Sequence, residues 1–196
     1  MTGSPGRLTL AQEPRADDLL SRDPFALLVG MLLDQQFPME RAFAGPALIA
    51  ERLGTDRLDP RQLLELTEDH LIAIMTGPPA VHRYPASMGG RVRDLAEHVV
   101  HHYDADASAL WQGVGTGAEL LARLRALPGF GVQKARIFLA LLGKQLGVRP
   151  EGWREAAGDY GLEGFRSVAD VVDAQSLQKV RDHKRAVKEA AKAARR

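Results

Sequence analysis

Leu127-Pro128-Gly129-Phe130-Gly131-Val132-Gln133-Lys134 is the stretch on which the fold is decided. Two glycines one residue apart follow a helix-stopping Leu-Pro pair, and that pattern turns the chain tightly from one helix into the next. The spacing predicts positive φ at both glycines and a backbone that passes close to a ligand, where any Cβ would collide. Free amide N–H groups of the turn, with the positive end of the helix beginning near Val132, then face an anion such as a backbone phosphate.

Both flanks carry helical periodicity. Leu120, Leu121 and Leu124 lead into the turn, and Ile137, Phe138, Leu141 and Leu142 form an apolar stripe on the way out. Lys134 and Arg136 sit in the first turns of the second helix, where positive side chains oppose the macrodipole and an anionic partner would account for them. Far upstream, Asp23-Pro24 is an N-cap followed by proline at the first helical position, and Phe25 to Leu33 is apolar all round, the mark of a buried helix that ends in Asp34-Gln35-Gln36.

Taken together, the stretch from Asp23 to Gln36 and the Leu-Pro-Gly-x-Gly turn resemble the helix-hairpin-helix (HhH-GPD) DNA glycosylases of base excision repair, the superfamily of endonuclease III, the mismatch adenine glycosylase and the alkyladenine glycosylases. The likeness runs from about Asp23 to about Trp153. It implies an all-α fold of two closely packed helical lobes, with a substrate cleft between them and the hairpin at its edge. It also implies double-stranded DNA as the partner, met by Pro128, Gly129, Phe130, Gly131, Gln133 and Lys134. A glycosylase extrudes its nucleotide and fills the gap. Gln36 matches the residue that plugs the duplex, and Phe37, Tyr84 and Trp153 are candidates for stacking the extruded base.

The resemblance also bears on the chemistry. Members with lyase activity place a Schiff-base lysine two residues after the second hairpin glycine; that position is Gln133 here. Lys134 is one residue on, a rotation of about 100° around the helix, which predicts a side chain turned off the cleft and no lyase activity. Monofunctional members need only an acid, roughly eighteen residues beyond the lysine position, and the count reaches Glu151, expected in the first turn of a helix. Asp34 is the rival acid: the C-terminal end of a buried helix opposes its negative charge and raises its pKa. Asp159 is the third. The expected function is a monofunctional DNA N-glycosylase acting on a damaged or mismatched base; the alternative is a DNA-binding protein that keeps the fold without the chemistry.

Composition bounds these readings. The 196 residues include no cysteine, which excludes disulfides and any thiolate-held iron–sulfur cluster of the kind many relatives of this superfamily carry. No cofactor is expected, a monovalent cation at the hairpin being the one ion the turn could hold. Residues 1–20 read as a flexible, polar tail without signal-peptide character, 21–175 as the helical domain, and 176–196 as a basic C-terminal helix; a cytoplasmic monomer is expected. That last segment holds eight Lys and Arg against two acidic residues in a chain of net charge +1, an electrostatic footprint for a phosphate backbone or else a solvated terminal helix. Further helices are expected at 39–53, 67–75, 87–103, 106–111, 117–126, 132–146, 150–157, 167–173 and 176–194. His98 and His102 have the i, i+4 spacing of a metal pair, but no third ligand accompanies them, and a solvated cluster near a helix C-terminus is the expectation.

Overall fold

The computed structural model describes residues 6–194; the expectations for residues 1–5, and the terminal Arg195 and Arg196 of the basic segment, lie outside the described residues. The chain forms α1 (Pro14–Arg22), α2 (Pro24–Leu33), α3 (Met39–Leu53), α4 (Pro60–Glu65), α5 (Glu68–Thr76), α6 (Pro85–Tyr103), α7 (Gly117–Arg125), α8 (Val132–Gln145), α9 (Trp153–Ala157) and α10 (Ala174–Ala193), with 3₁₀ turns at Ala107–Leu110, Gly158–Gly161 and Val168–Asp170. The protein is all-α; among the described residues the extended structure is confined to one isolated bridge between Thr116 and Glu151. The helices expected over 106–111 and 167–173 are 3₁₀ turns, and the one expected over 150–157 shrinks to α9.

α2 is the axis of the core. Every residue from Phe25 to Leu33 is buried, and the helix packs against α1, α3 and α6. The Asp23 carboxylate starts it by accepting the Ala26 N–H at 2.9 Å, and its second oxygen accepts the Leu58 N–H at 2.7 Å, tying the same end to the chain after α3. Such a cap is worth about 1 kcal/mol.

The expected flexible tail is corrected over its described part. Leu8 and Leu10 are fully buried, and α1 packs on α3. Asp17, itself buried, accepts the Ala11 N–H at 2.8 Å, and burial holds its carboxyl above the usual range. Glu13-Pro14 starts α1 with the same acid-then-proline device as Asp23-Pro24, the Glu13 carboxylate accepting the Ala16 N–H at 3.2 Å.

The turn between α7 and α8 sits on the C-terminal end of α2. Gly129 has φ 79°, and a Cβ there would lie 2.5 Å from Leu32 Cδ1, so this position requires glycine twice over. Gly131 does not: its φ is −69° and a Cβ would meet no atom within 4 Å. The expectation of positive φ at both glycines therefore fails at the second. Phe130, expected at the DNA surface, is buried and meets Phe138 edge-on with centroids 6.0 Å apart, which makes it the anchor of the turn.

α10 is held at one end. An Asp173–Ser176 capping box begins it, Leu177 and Val180 are buried, and Arg181 pairs with Glu40 of α3 at 2.5 Å. From Asp182 to Ala194 it is exposed, with His183 half-buried. Among the described residues no helix is long and apolar enough to cross a membrane.

Candidate functional site

A cavity of about 1160 Å³ opens where the C-terminal end of α2, the N-terminal end of α8, the Gly158–Gly161 turn and the outer half of α10 meet. α2 and the loop after it bring Met31, Asp34, Gln35, Gln36 and Phe37; α8 brings Val132, Gln133, Lys134, Arg136 and Ile137. Asp159, Tyr160 and Arg166 form a further wall, and α10 closes the far side with His183, Lys184, Val187 and Lys188. The volume lies above the roughly 300–1,000 Å³ of a pocket for a small organic ligand.

Lys134 faces this cavity, a correction to the expectation that it turns away. Its ammonium donates to the carbonyls of Met31 and Leu32, both at 2.8 Å, and so caps the last turn of α2. Burial lowers its pKa to about 8, while the Asp34 carboxylate pulls it back up. The rotation of one residue does occur, but the long stem spans it because α8 starts right beside the end of α2. Gln133 points into the same space and donates through Nε2 to the Tyr160 hydroxyl at 2.8 Å.

Asp34 brings a carboxylate to the cavity. It is the residue that ends α2, it is half-buried, and its carboxylate takes no hydrogen bond from the other described residues. Burial raises its pKa; Lys184 and Lys134 oppose that rise and Glu40 adds to it. Asp159, the third candidate, lines the same cavity.

Glu151 does not. Its backbone bridges α7 and α9, accepting the Gly117 N–H at 2.7 Å and donating to Gly115 at 3.1 Å, and its side chain is exposed at the opposite end of α8 from the cavity. The expected helical first turn is a bridge instead, because Gly152 (φ 67°) delays the start of α9. Trp153 is also elsewhere: it is buried in the core against Gly143, where a Cβ would overlap the indole at 2.3 Å. Tyr84 is 48% exposed and lies outside the cavity, with the Arg83 guanidinium 5.1 Å from its ring centroid. Of the three aromatics expected to stack a base, Phe37 alone lines the cavity, with the Arg41 guanidinium 4.8 Å from its ring centroid.

Gln36 stands at the mouth, exposed, in the left-handed region with φ 51°. A non-glycine residue there costs on the order of 1 kcal/mol and persists only where its surroundings hold it. His82 does the holding. It is 1% exposed; its Nδ1 accepts the Tyr84 N–H at 3.1 Å, which leaves the hydrogen on Nε2, 3.1 Å from the Gln35 carbonyl, and its ring lies 4.7 Å from that of Phe37. Burial lowers its pKa. The unfolded chain therefore binds the proton first as pH falls through about 6.5, so stability present above that value is lost below it. The melting temperature is expected to fall between pH 7 and 5.5, and to fall less in His82→Gln; equal slopes would remove His82 from this role.

Nothing in the sequence pattern signalled His82, Tyr160 or Arg166, since each reaches its place through tertiary packing. The hairpin carbonyl of Leu127 already accepts the Phe130 N–H at 3.1 Å, so a monovalent cation there would have to share it. His98 and His102 stack at 4.3 Å, and among the described residues no group of three His, Asp or Glu side chains is placed to hold a metal. Compared with family models, curated proteins and solved structures, the chain has no match.

Proposed function

We propose that the protein is a DNA-binding base excision repair enzyme, a monofunctional glycosylase that hydrolyses the bond between a damaged or mismatched base and its sugar. One observation carries this reading: the cavity joins the amide-rich N-terminus of α8, an anion-binding element, to a carboxylate at Asp34 with an exposed, strained Gln36 between solvent and the acid. In this reading a phosphate rests on the Gly131–Gln133 amides, the nucleotide enters the cavity, and Gln36 takes its place in the duplex. Asp34 then stabilises the sugar cation and accepts the proton of the attacking water.

The test is incubation with duplexes carrying uracil, oxidised guanine, alkylated purines or mismatched adenine, followed by hot alkali. Alkali-dependent cleavage supports the reading, and its absence on all of them favours the second one, a DNA-binding protein without the chemistry. That second reading draws on the position of Glu151, which stands away from the cavity where the resemblance would put the acid.

Lys134 is a positioning residue here. With its pKa at about 8, roughly a tenth is free amine at pH 7, and attack would require it to leave both α2 carbonyls. Borohydride is therefore expected to trap no covalent complex with abasic DNA. A trapped complex that disappears in Lys134→Ala would reassign it as a nucleophile.

A further inference from the structure

Basic side chains outnumber acidic ones around the cavity, five to two. Arg136 and Lys134 come from α8, Arg166 from the segment after the Gly158–Gly161 turn and Lys184 and Lys188 from α10, against the carboxylates of Asp34 and Asp159. Two of these five cations come from a helix segment that contributes no buried side chain to the core and is secured to the rest by its first two turns and the Arg181–Glu40 pair. That segment has no packing role to explain its course across the cavity. Its Val187 stays 54% exposed while lining the space.

Resting on the glycosylase reading, we infer that the cationic walls of this cavity, and the α10 wall above all, select a base that departs as an anion, such as a uracil-type or oxidised base whose ring nitrogen lies in a lactam or imide. In that reaction the N-glycosidic bond breaks with both electrons going to the ring nitrogen and delocalising onto the adjacent carbonyl oxygens. The sugar C1′ becomes cationic and is captured by water, whose proton passes to the Asp34 carboxylate. Fixed positive charge around the leaving base stabilises the charge that develops on it. An N-alkylated purine behaves in the opposite way. It enters as a cation, which the same walls repel, and leaves neutral, so the field gives it nothing.

Single-turnover release at saturating enzyme tests this with duplexes carrying thymine, uracil, 5-fluorouracil and 7-methylguanine, each rate divided by its spontaneous loss. The expected result is an enhancement over spontaneous loss of at least tenfold for the pyrimidines, and no enhancement for 7-methylguanine. The double variant Lys184→Gln/Lys188→Gln, on the exposed side of α10, is expected to melt as the parent does, to lose at least tenfold in pyrimidine release, and to gain or hold on 7-methylguanine. Enhancement of 7-methylguanine equal to that of uracil, or an equal loss on both in the variant, overturns the inference and leaves the glycosylase reading standing. Release of none of these bases, nor of any other lesion, from duplexes that are nonetheless bound removes the glycosylase reading itself.

Discussion

Asp34→Asn is expected to lower base release at least about a hundredfold, the lower end of what a positioned proton acceptor contributes. Duplex affinity should stay within about threefold, because the Gly131–Gln133 amides and the α10 cations are untouched. The same change is expected to leave the melting temperature unchanged or raise it. Asp34 carries its charge at the C-terminal end of α2, where the macrodipole opposes it, and burial holds its pKa above the unfolded value. For a carboxyl displaced in that direction the folded state binds the proton more tightly, so stability falls as pH rises from the unfolded value near 3.8 through the folded one. Where the side chain is ionised, its charge is thus a cost that Asn removes. Activity lost with stability kept or gained identifies a residue retained for chemistry. Glu151→Gln is the control: its side chain is exposed beyond the far end of α8, and a change of more than about twofold is not expected there. If Glu151→Gln abolished release and Asp34→Asn did not, the acid would be misassigned.

The sequence carried the axis of this fold and missed its surroundings for physical reasons. α2 was legible because an unbroken apolar run preceded by Asp-Pro leaves few alternatives, and the α7–α8 turn because Leu-Pro-Gly-x-Gly demands a bend. Asp34 was legible from its position after that run, since helix ends fix electrostatics locally. The acid-then-proline start of α1 is present at Glu13-Pro14, yet the polar residues around Leu8 and Leu10 give no periodicity that marks these two as buried. Counting along the chain points to Glu151, and counting fails when a left-handed glycine at 152 shifts a helix start from 150 to 153. Lys134 escapes the helical-wheel argument because a rotation of 100° describes the Cα, whereas a four-carbon stem reaches back to the α2 carbonyls. The α10 wall was visible only as charge; Leu177 and Val180 hold its start, and the tertiary structure gives its basic side chains something to face.

The two hairpin glycines are expected to separate stability from binding. Gly129→Ala forces a Cβ onto a residue at φ 79° and to within 2.5 Å of Leu32 Cδ1. The left-handed conformation costs about 1–2 kcal/mol, and the crowding of a packed side chain adds about 1 kcal/mol or more. A loss of about 2–4 kcal/mol corresponds to a fall of about 4–16 °C in the melting temperature of a chain this size. Gly131→Ala should fall within about 0.5 kcal/mol of the parent, because its φ of −69° suits any residue and no atom stands within 4 Å of the added carbon. That open space is where the phosphate is proposed to rest, so Gly131→Glu brings a carboxylate to the anion site without disturbing the core. Its melting temperature should match that of Gly131→Ala, while duplex affinity at low salt falls at least tenfold and the slope of log K against log salt drops by about 1 as one phosphate contact is lost. Duplex affinity and salt slope unchanged in Gly131→Glu would mean that nucleic acid, if bound at all, is held away from the turn, and the cavity beside it would then need another ligand.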